Sequence, residues 1–263
     1  MIALESVVVS FPQGGGEERT VLRGLSFGVA RGSTVSVIGS NGAGKSTLLN
    51  AIAGTVPLRS GTVRIDGADR SREPEWMRAR YVGRVRQNPM AGSAGEMTVM
   101  DNHSMALRKG PRRLRLAVTP ALARFLTERV AELGMGLETR MRENVSLLSG
   151  GQRQALTLLM AVLSKPAVLL LDEHTAALDP ANAELVSALT KRFIAEYGLT
   201  ALIVTHDMKR ALSEADRIVM MHDGSIVADV EGAAKAGLGV EDLVRLFKRA
   251  RGSEYAEDRD LLF

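Results

Sequence analysis

The sequence contains no cysteine, which excludes disulfide bonds and thiolate metal sites and fits a reducing cytoplasm. It also lacks a long uninterrupted apolar run, since Ser164-Lys165-Pro166 divides its most hydrophobic region, residues 155–171. A membrane-spanning helix needs about 20 continuous apolar residues, so we predict a buried helix and then a buried strand here. The first residues lack the basic segment and apolar stretch of a secretory signal. We therefore expect a cytoplasmic chain that does not cross a bilayer.

The formal net charge of +4 makes the chain mildly basic. Such a balance is compatible with nucleic acid or anionic lipid as a partner, and equally with neither. The densest basic cluster consists of Arg108, Lys109, Arg112, Arg113 and Arg115. No aromatic residues interleave with these cations, as a platform for single-stranded nucleic acid would require, so we favour a solvated loop over a specific anionic contact. No nucleic-acid partner is expected.

Short apolar runs alternate with helical patterns along most of the chain, which indicates an α/β fold. Strands are predicted at residues 2–9, 25–29, 34–38, 61–65, 81–86, 167–171, 199–204, 218–221 and 225–230. Helices are predicted at residues 46–53, 121–133, 181–197 and 240–248, and a glycine-rich loop at residues 12–18. The alternation implies a mostly parallel core sheet, and the turn signal His222-Asp223-Gly224 adds an antiparallel hairpin.

The composition changes between residues 88 and 147, where β-branched runs are few and helical patterns are several. We interpret this stretch as a helical subdomain inserted into an α/β core. The core then comprises residues 1–87 and 148–230, and residues 231–263 form a short tail. No internal repeat is evident, so we predict a single domain of 263 residues with one set of motifs.

Residues 39–46 match the phosphate-loop pattern and follow a predicted apolar strand, which is the context that this motif requires. The glycines of the loop allow backbone amides to turn toward a phosphate. Lys45 would supply positive charge to the β- and γ-phosphates, and the Ser46 hydroxyl would bind Mg²⁺. An ordinary glycine-rich turn would not explain these two residues at the start of a helix. The segment therefore predicts a site for a nucleoside triphosphate.

Two carboxylates, Asp172 and Glu173, follow the predicted buried strand at residues 167–171. Asp172 is predicted to hold Mg²⁺, and Glu173 to orient and deprotonate the attacking water. Taken alone, such a pair could equally cap a helix. In a chain with a phosphate loop, the catalytic interpretation is favoured.

Residues 148–152, with the sequence Leu-Ser-Gly-Gly-Gln, open an apolar helix at residues 153–163. The backbone amides and the dipole at such a helix start suit a γ-phosphate. A plain Ser149 N-cap is the alternative, but Gly150 and Gly151 indicate close approach by something bulky and anionic. A single nucleotide site does not need a second phosphate-binding helix start. We therefore predict that two copies of the chain act together.

Taken in this order, the motifs resemble the nucleotide-binding subunit of an ATP-binding cassette (ABC) transporter, over nearly the whole chain. The resemblance implies the P-loop ABC cassette fold, with ATP and Mg²⁺ bound. In that family, two chains form a head-to-tail dimer in which the Ser-Gly-Gly-Gln signature of one caps the ATP of the other. A narrower likeness, in residues 87–92 and 172–179, is to bacterial uptake ATPases of the tryptophan/tyrosine type.

The family pattern assigns roles to further residues. It implies that Gln87 senses Mg²⁺ and the transmembrane partner, that Asp179 lies in the loop crossing the dimer interface, and that His206 contacts the γ-phosphate as the switch histidine. It implies that Phe11 stacks on adenine, at a position where the family usually has tyrosine. The catalytic residues are then Glu173, His206 and Gln87, and the metal ligands are Ser46, Gln87 and Asp172.

Two larger sets complete the predicted site. The nucleotide-binding residues are Phe11, Gly39, Ser40, Asn41, Gly42, Ala43, Gly44, Lys45, Ser46 and Thr47. The signature residues, which act on the partner's ATP, are Leu148, Ser149, Gly150, Gly151 and Gln152.

Several residues fall outside these roles. The family commonly has proline after the catalytic glutamate, whereas this chain has His174, which we interpret as a neutral substitution rather than a catalytic residue. His103 and His222 lack partners at metal-ligand spacing and are interpreted as structural. The scattered methionines are interpreted as core filler.

The resemblance implies an ATPase subunit that drives a separate membrane permease, most simply an importer of a small solute such as an amino acid. Its partners would be a second copy of itself, the permease and, indirectly, an extracytoplasmic solute-binding protein. It would sit on the cytoplasmic face of the membrane through the permease. Two alternatives stay open, an exporter ATPase and a soluble ABC ATPase of the cluster-assembly type. The sequence does not identify the transported solute.

Overall fold

The computed structural model describes residues 1–107 and 118–251, and it forms two compact units. The first unit holds Met1–Ala79 together with the chain from Leu199 onward, and the second holds Arg80–Gly198. The predicted core, helical subdomain and tail have other bounds and stay predictions. The basic cluster at residues 108–115 lies outside the described residues.

The strands of the described residues alternate with helices, as the sequence predicts. They are β1 (Ile2–Gln13), β2 (Glu17–Val29), β3 (Thr34–Gly39), β4 (Ser60–Ile65), β5 (Ala68–Asp69), β6 (Val82–Val85), β7 (Val168–Asp172), β8 (Thr200–Val204), β9 (Arg217–His222) and β10 (Ser225–Glu231). The helices are α1 (Lys45–Ala53), α2 (Glu75–Arg78), α3 (Val99–Ala106), α4 (Pro120–Ala131), α5 (Gly150–Leu163), α6 (Pro180–Tyr197), α7 (Met208–Glu214), α8 (Gly232–Ala236) and α9 (Val240–Arg251). Short 3-10 turns lie at Pro89–Gly92, Leu137–Thr139 and Val145–Leu147.

In the first unit, an antiparallel sheet has the strand order β2-β1-β4-β5. The hairpin of β1 and β2 is longer than predicted, because residues expected in a loop at 12–18 pair across it, with Pro12 opposite Glu18 and Gln13 opposite Glu17. Pairing between β1 and β4 ends at Val8. Beyond Val8, β1 is therefore paired with β2 alone among these strands, and proline is tolerated in such an edge position.

The central strand of the first unit is β3, and all six of its residues are buried. It pairs in parallel with β8 on one side and β9 on the other, and β9 continues into an antiparallel hairpin with β10. In the second unit, β6 and β7 also pair in parallel. A continuous apolar strand that is covered on both faces is typical of parallel α/β sheets, as the sequence predicts.

Helices α7 and α9 cover the apolar side chains of β3 and β9. Ile38, Met208, Met220, Leu243 and Phe247 are all buried in this cluster. The predicted amphipathic helix at residues 240–248 is confirmed. The interpretation of the methionines as core filler holds for Met208, Met220 and Met221 in this unit.

That interpretation is wrong for two methionines of the second unit. Met90 is 63% exposed and Met105 is 42% exposed. Met90 lies in a single 3-10 turn and Met105 in the last turn of α3. Neither element is long enough to hide all of its apolar side chains, since short helices bury one face only.

A buried arginine fixes the helix that follows the phosphate loop. Arg78 is 1% exposed, and its guanidinium donates to the carbonyl oxygens of Ala51 at 2.5 Å and Ile52 at 2.9 Å. These carbonyls belong to the last turn of α1, where a cation is favoured by the helix dipole. Gly54 ends the helix in the left-handed conformation, as predicted.

Within residues 1–107 and 118–251, every helix falls short of the length or the apolar character that crossing a bilayer requires.

His103, on α3, generates a prediction about pH. The ring is fully buried, and Nδ1 lies 2.9 Å from the carbonyl oxygen of Val99. Burial lowers the pKa of His103 from 6.5 to about 4, because the charged ring would lose its hydration, while the contact with Val99 opposes this shift. Unfolded chains therefore take up a proton between pH 6.5 and pH 4 while the folded chain does not, and stability falls as pH falls.

We expect His103→Gln to remove this pH dependence. Between pH 7 and pH 5, the wild-type chain should lose about 2 kcal/mol more unfolding free energy than the variant does, from the pKa difference alone. Urea unfolding of both proteins at the two pH values measures the difference. Equal losses for both proteins would contradict the burial of a neutral ring.

Candidate functional site

The phosphate loop joins β3 to α1, as predicted, and its glycines have backbone conformations that other residues rarely adopt. The φ angle is +155° at Gly39, +79° at Gly42 and +98° at Gly44. A Cβ atom at Gly39 would lie 2.3 Å from the carbonyl oxygen of Met221. Glycine at position 39 is therefore required both by conformation and by contact with β9.

The ammonium group of Lys45 lies inside this loop. The residue is 7% exposed, and Nζ donates to the carbonyl oxygens of Gly39 at 2.6 Å and Ser40 at 2.9 Å. A buried cation must be matched by polar groups, and these two carbonyls do so at the mouth of the loop. The loop is closed further by the amide of Ala43, which donates to Ser40 O at 3.2 Å.

The hairpin of β9 and β10 supports the loop from one side, a role that the sequence did not reveal. Its turn places Asp223 and Gly224 in the left-handed conformation. The amide of Gly224 donates to the carbonyl of Ala43 at 3.1 Å, and the amide of Arg23 donates to Gly224 O at 3.2 Å. The turn predicted by Asp223-Gly224 thus ties β2 to the phosphate loop.

An open cleft of about 660 Å³ borders the loop in the first unit. It is lined by Gln13, Glu18, Arg19, Thr20, Arg23, Gly42 and Asp223. Phe11 pairs with Arg19 across the hairpin and is 37% exposed, so its ring is available to a ligand. Asn41 and Ser46 are exposed, and Thr47 is half-buried.

In the second unit, β7 delivers the two predicted carboxylates to its carboxyl end. Residues 168–171 are fully buried, whereas Asp172 and Glu173 are half-buried. Asp172 Oδ2 lies 3.6 Å from the guanidinium of Arg84 on β6. Glu173 has a φ of +45°, a strained conformation for a residue with a side chain, and such strain is concentrated at functional sites.

The structure brings Gln87 and Glu173 together. Gln87 Nε2 donates to Glu173 Oε2 at 3.3 Å. The buried side chain of Gln154, on α5, holds the backbone beside both residues. Its Nε2 donates to the carbonyl of Arg86 at 3.1 Å and to that of His174 at 2.7 Å.

His174 is buried at 4% exposure, and its Nε2 lies 3.1 Å from the hydroxyl of Thr190 on α6. This contact anchors the backbone that follows Glu173 and gives His174 a structural role, which the interpretation as a neutral substitution did not include. Sequence reasoning missed Gln154, although one polar residue in the apolar pattern of α5 is a usable signal. A buried amide needs a partner, and here the partners are the two loop carbonyls.

The signature segment begins α5 with a complete capping box. The hydroxyl of Ser149 accepts from the amide of Gln152, and Gln152 Oε1 accepts from the amide of Ser149, each at 3.2 Å. Leu148 is buried, and Ser149 and Gly150 are exposed. The N-cap interpretation of Ser149 is thus realised in the structure, and an exposed helix start remains able to bind an anion.

One inference about this segment needs correction. Both glycines were interpreted as making room for an anion, but a Cβ atom at Gly151 would lie 2.4 Å from Cγ and Oδ1 of Asn182 in the same chain. The close approach at Gly151 is therefore intramolecular. A Cβ atom at Gly150 would meet Leu178 Cδ2 at 3.8 Å, an ordinary contact, so Gly150 remains the candidate for approach from outside.

Asp179 caps α6. Its carboxylate accepts from the backbone amide of Asn182 at 3.1 Å and from Nδ2 of the same residue at 2.6 Å. Both hydrogen bonds lower the pKa of Asp179, and the one from the Asn182 side chain has the larger effect. His206 lies in the first unit, between β8 and α7, and is half-buried beside the helix cap formed by Asp207.

The predicted magnesium ligands Ser46, Gln87 and Asp172 offer a hydroxyl, an amide and a carboxylate. These are the hard oxygen donors that Mg²⁺ prefers, and Mg²⁺ usually needs only one or two carboxylates when substrate phosphates supply further oxygens. Residues 1–107 and 118–251 contain no group of three histidine or acidic side chains that could hold a metal. In chemistry, each of these three side chains suits Mg²⁺ delivered with a phosphate ligand.

Comparison with known proteins gives consistent matches. The family described as ABC transporter matches residues 22–176. A tyrosine transport ATP-binding protein of Clostridioides difficile (strain R20291) is 41% identical over 254 residues, covering 95% of this chain and 100% of the relative. An energy-coupling factor transporter ATP-binding protein of Lacticaseibacillus paracasei is 33% identical, covering 86% of this chain and 77% of the relative.

Two solved structures share the fold. One is a dimeric ATP-binding cassette in a post-hydrolysis state bound to ADP and phosphate, with a TM-score of 0.75 at 26% identity, covering 88% of this chain and 98% of that chain. The other is a nucleotide-free ATP-binding cassette from an ABC transporter, with a TM-score of 0.76 at 23% identity, covering 94% and 98%. The predicted α/β cassette fold is confirmed.

The contacts of Gln154 predict the effect of removing its amide. Gln154→Met keeps the side-chain length but leaves two carbonyls without their donor, which should cost about 1–3 kcal/mol of unfolding free energy. Urea unfolding measures the loss, and Lys191→Met, at an exposed position of α6, should change stability by less than about 0.5 kcal/mol. A loss no larger than that of the control would argue against the role of Gln154.

Proposed function

Since the chain belongs to the ABC transporter family and is an ATP hydrolase, we propose that it powers the import of a small solute through a separate membrane permease. The observation that carries the proposal is the match to a tyrosine transport ATP-binding protein, which extends over the full length of that relative at 41% identity. An amino acid is the solute class that this relative supports.

ATP is bound first by the phosphate loop. The loop amides and the Lys45 ammonium hold the β- and γ-phosphates, and Phe11 stacks on the adenine. In the structure Lys45 Nζ contacts the carbonyls of Gly39 and Ser40. Phosphate oxygens are stronger acceptors than carbonyls, so the ammonium turns toward them without leaving the loop.

Ser46, Gln87 and Asp172 would hold Mg²⁺, which when bound neutralises charge on the β- and γ-phosphates. Glu173 accepts a proton from the attacking water as the water oxygen bonds to the γ-phosphorus and the bond to the β–γ bridging oxygen breaks. ADP and phosphate are released. His206 donates to the γ-phosphate, and the hydrogen bond from Gln87 keeps the Glu173 carboxylate in position.

Two copies of the chain complete each site. The exposed start of α5, at Ser149 and Gly150, supplies helix-terminal amides to the γ-phosphate held by the partner, and Asp179 lies in the loop that crosses the interface. The dimeric cassette with ADP and phosphate supports this arrangement through its fold similarity. The bridging γ-phosphate holds the dimer closed, and hydrolysis releases it.

The permease places the chain at the cytoplasmic face of the membrane as a peripheral subunit. An extracytoplasmic solute-binding protein delivers the solute to the other side of the permease and does not touch this chain. The names of the related ATP-binding proteins, which include transport of tyrosine and import of methionine, support transport toward the cytoplasm.

Lys45→Ala tests the coupling of ATP to transport. In proteoliposomes containing the permease that co-purifies with this chain, we expect the variant to lose ATP turnover and tyrosine uptake by about 100-fold or more, as for removal of one group that stabilises the reacting phosphate. Lys191→Ala, at an exposed site on α6, should retain both activities. Uptake that persists without turnover would contradict the proposal.

Glu173→Gln tests the dimer. Without its base the variant should bind ATP yet turn over about 10²–10⁴-fold more slowly, so the closed dimer accumulates. Size-exclusion chromatography with ATP and Mg²⁺ should show a dimer for Glu173→Gln and a monomer for the exposed control Glu184→Gln. Adding Ser149→Arg should abolish that dimer while ATP binding continues. Loss of ATP binding to the same degree would instead place Ser149 in its own chain's site.

A further inference from the structure

The first turns of α5 and α6 meet through one side chain, that of Asn182. The buried Gly151 packs so closely against it that a Cβ atom at Gly151 would lie 2.4 Å from Cγ and Oδ1 and 2.8 Å from Cβ of Asn182. Real Cβ contacts are essentially never shorter than 3.0 Å, so an alanine at 151 would displace Asn182.

Asn182 is itself fixed to the loop before α6. Both oxygens of Asp179 accept from this one residue, Oδ1 from the backbone amide at 3.1 Å and Oδ2 from the side-chain Nδ2 at 2.6 Å. A displaced Asn182 side chain would therefore lose a short, charge-assisted hydrogen bond. The contact of Gly151 with Asn182 and the hydrogen bonds of Asn182 with Asp179 form one continuous connection.

The two signature glycines differ in this respect. Gly150 is exposed, and a Cβ atom there would make only an ordinary contact with Leu178 at 3.8 Å. Alanine is also intrinsically more favourable than glycine in a helix. The φ angle of Gly151 is not positive, so local conformation does not explain glycine at this position. The close contact with Asn182 explains it.

We propose that Asn182 is a positioning residue that locks the loop of Asp179 to the start of α5, and that glycine is required at position 151 to admit Asn182 rather than a nucleotide. The part of this inference that concerns dimerisation rests on the proposed function, in which the start of α5 and the loop of Asp179 both face the partner chain. The lock makes the Ser149 cap and the Asp179 loop move as one body, so that a partner nucleotide meets both in fixed register.

The first experiment measures Tm of the nucleotide-free chain, where no partner nucleotide contributes. Gly151→Ala should lower Tm by roughly 4–8 °C, as expected for overpacking in a chain of this size, and the matched control Gly150→Ala should leave it unchanged or raise it. In the double variant Gly151→Ala/Asn182→Gly, which also removes the Cβ atom 2.8 Å away, the Tm should return to that of Asn182→Gly alone.

Two results would overturn the steric part. One is an unchanged Tm for Gly151→Ala, which would assign the glycine to an external ligand. The other is a double variant whose Tm lies as far below that of Asn182→Gly as the Tm of Gly151→Ala lies below that of the wild type. If Gly151→Ala does not fold, the double variant decides: a folded double variant supports the proposal, and an unfolded one overturns it.

The second experiment measures ATP-driven dimerisation in the Glu173→Gln background. Asn182→Asp keeps the side-chain size but replaces the donor to Asp179 with a like charge, and should weaken dimerisation about tenfold with ATP affinity unchanged. Dimerisation equal to the parent would overturn the positioning role. If the Glu173→Gln parent itself stays monomeric, the proposed function fails, while the Tm results still decide the steric part.

Discussion

The phosphate loop is arranged around the nearly buried ammonium group of Lys45, and the rest of the site depends on this arrangement. Lys45 is 7% exposed, and its charge is matched by two carbonyls at the end of β3. This arrangement needs a loop that turns around one side chain, and glycine at 39 makes the turn possible where the backbone also touches β9. The hairpin turn at Gly224 and the Arg78 guanidinium at the far end of α1 hold the loop and its helix in place. Packing within the chain thus fixes the shape of the phosphate loop.

In the second unit, helix α5 carries the signature turn and also contacts the backbone beside Gln87 and Glu173. α5 starts with the capped signature turn and, one turn later, carries Gln154, whose amide holds the backbone beside Gln87 and Glu173. Any movement of α5 would therefore reach Glu173, the proposed catalytic base. Glu173 has a strained φ of +45°, and the Gln154 amide holds the carbonyl of His174, the residue that follows it. In the proposed dimer, a partner chain that contacts the signature turn would in this way affect Gln87 and Glu173.

The sequence was sufficient where a short segment determines its own structure. The phosphate loop between a buried strand and a helix, the Asp223-Gly224 hairpin and the Ser149 cap all follow from local patterns, and the structure contains them. It was insufficient where distant segments meet. The contacts of Gly151 with Asn182 and of Gly39 with Met221 join residues far apart in the chain, and no local pattern reveals them. Likewise, Pro12 pairs with Glu18 in a stretch whose glycine-rich composition favoured a loop.

The central claim is that each ATP lies between the phosphate loop of one chain and the signature turn of another. Because the chain has no cysteine, single cysteines can be introduced without background. Chains carrying Asn41→Cys and chains carrying Ser149→Cys, mixed in the Glu173→Gln background with ATP and a mild oxidant, should form a disulfide-linked heterodimer, while each variant alone stays largely uncrosslinked. Equal crosslinking in the unmixed samples, or none in the mixture despite dimer formation, would contradict the head-to-tail arrangement.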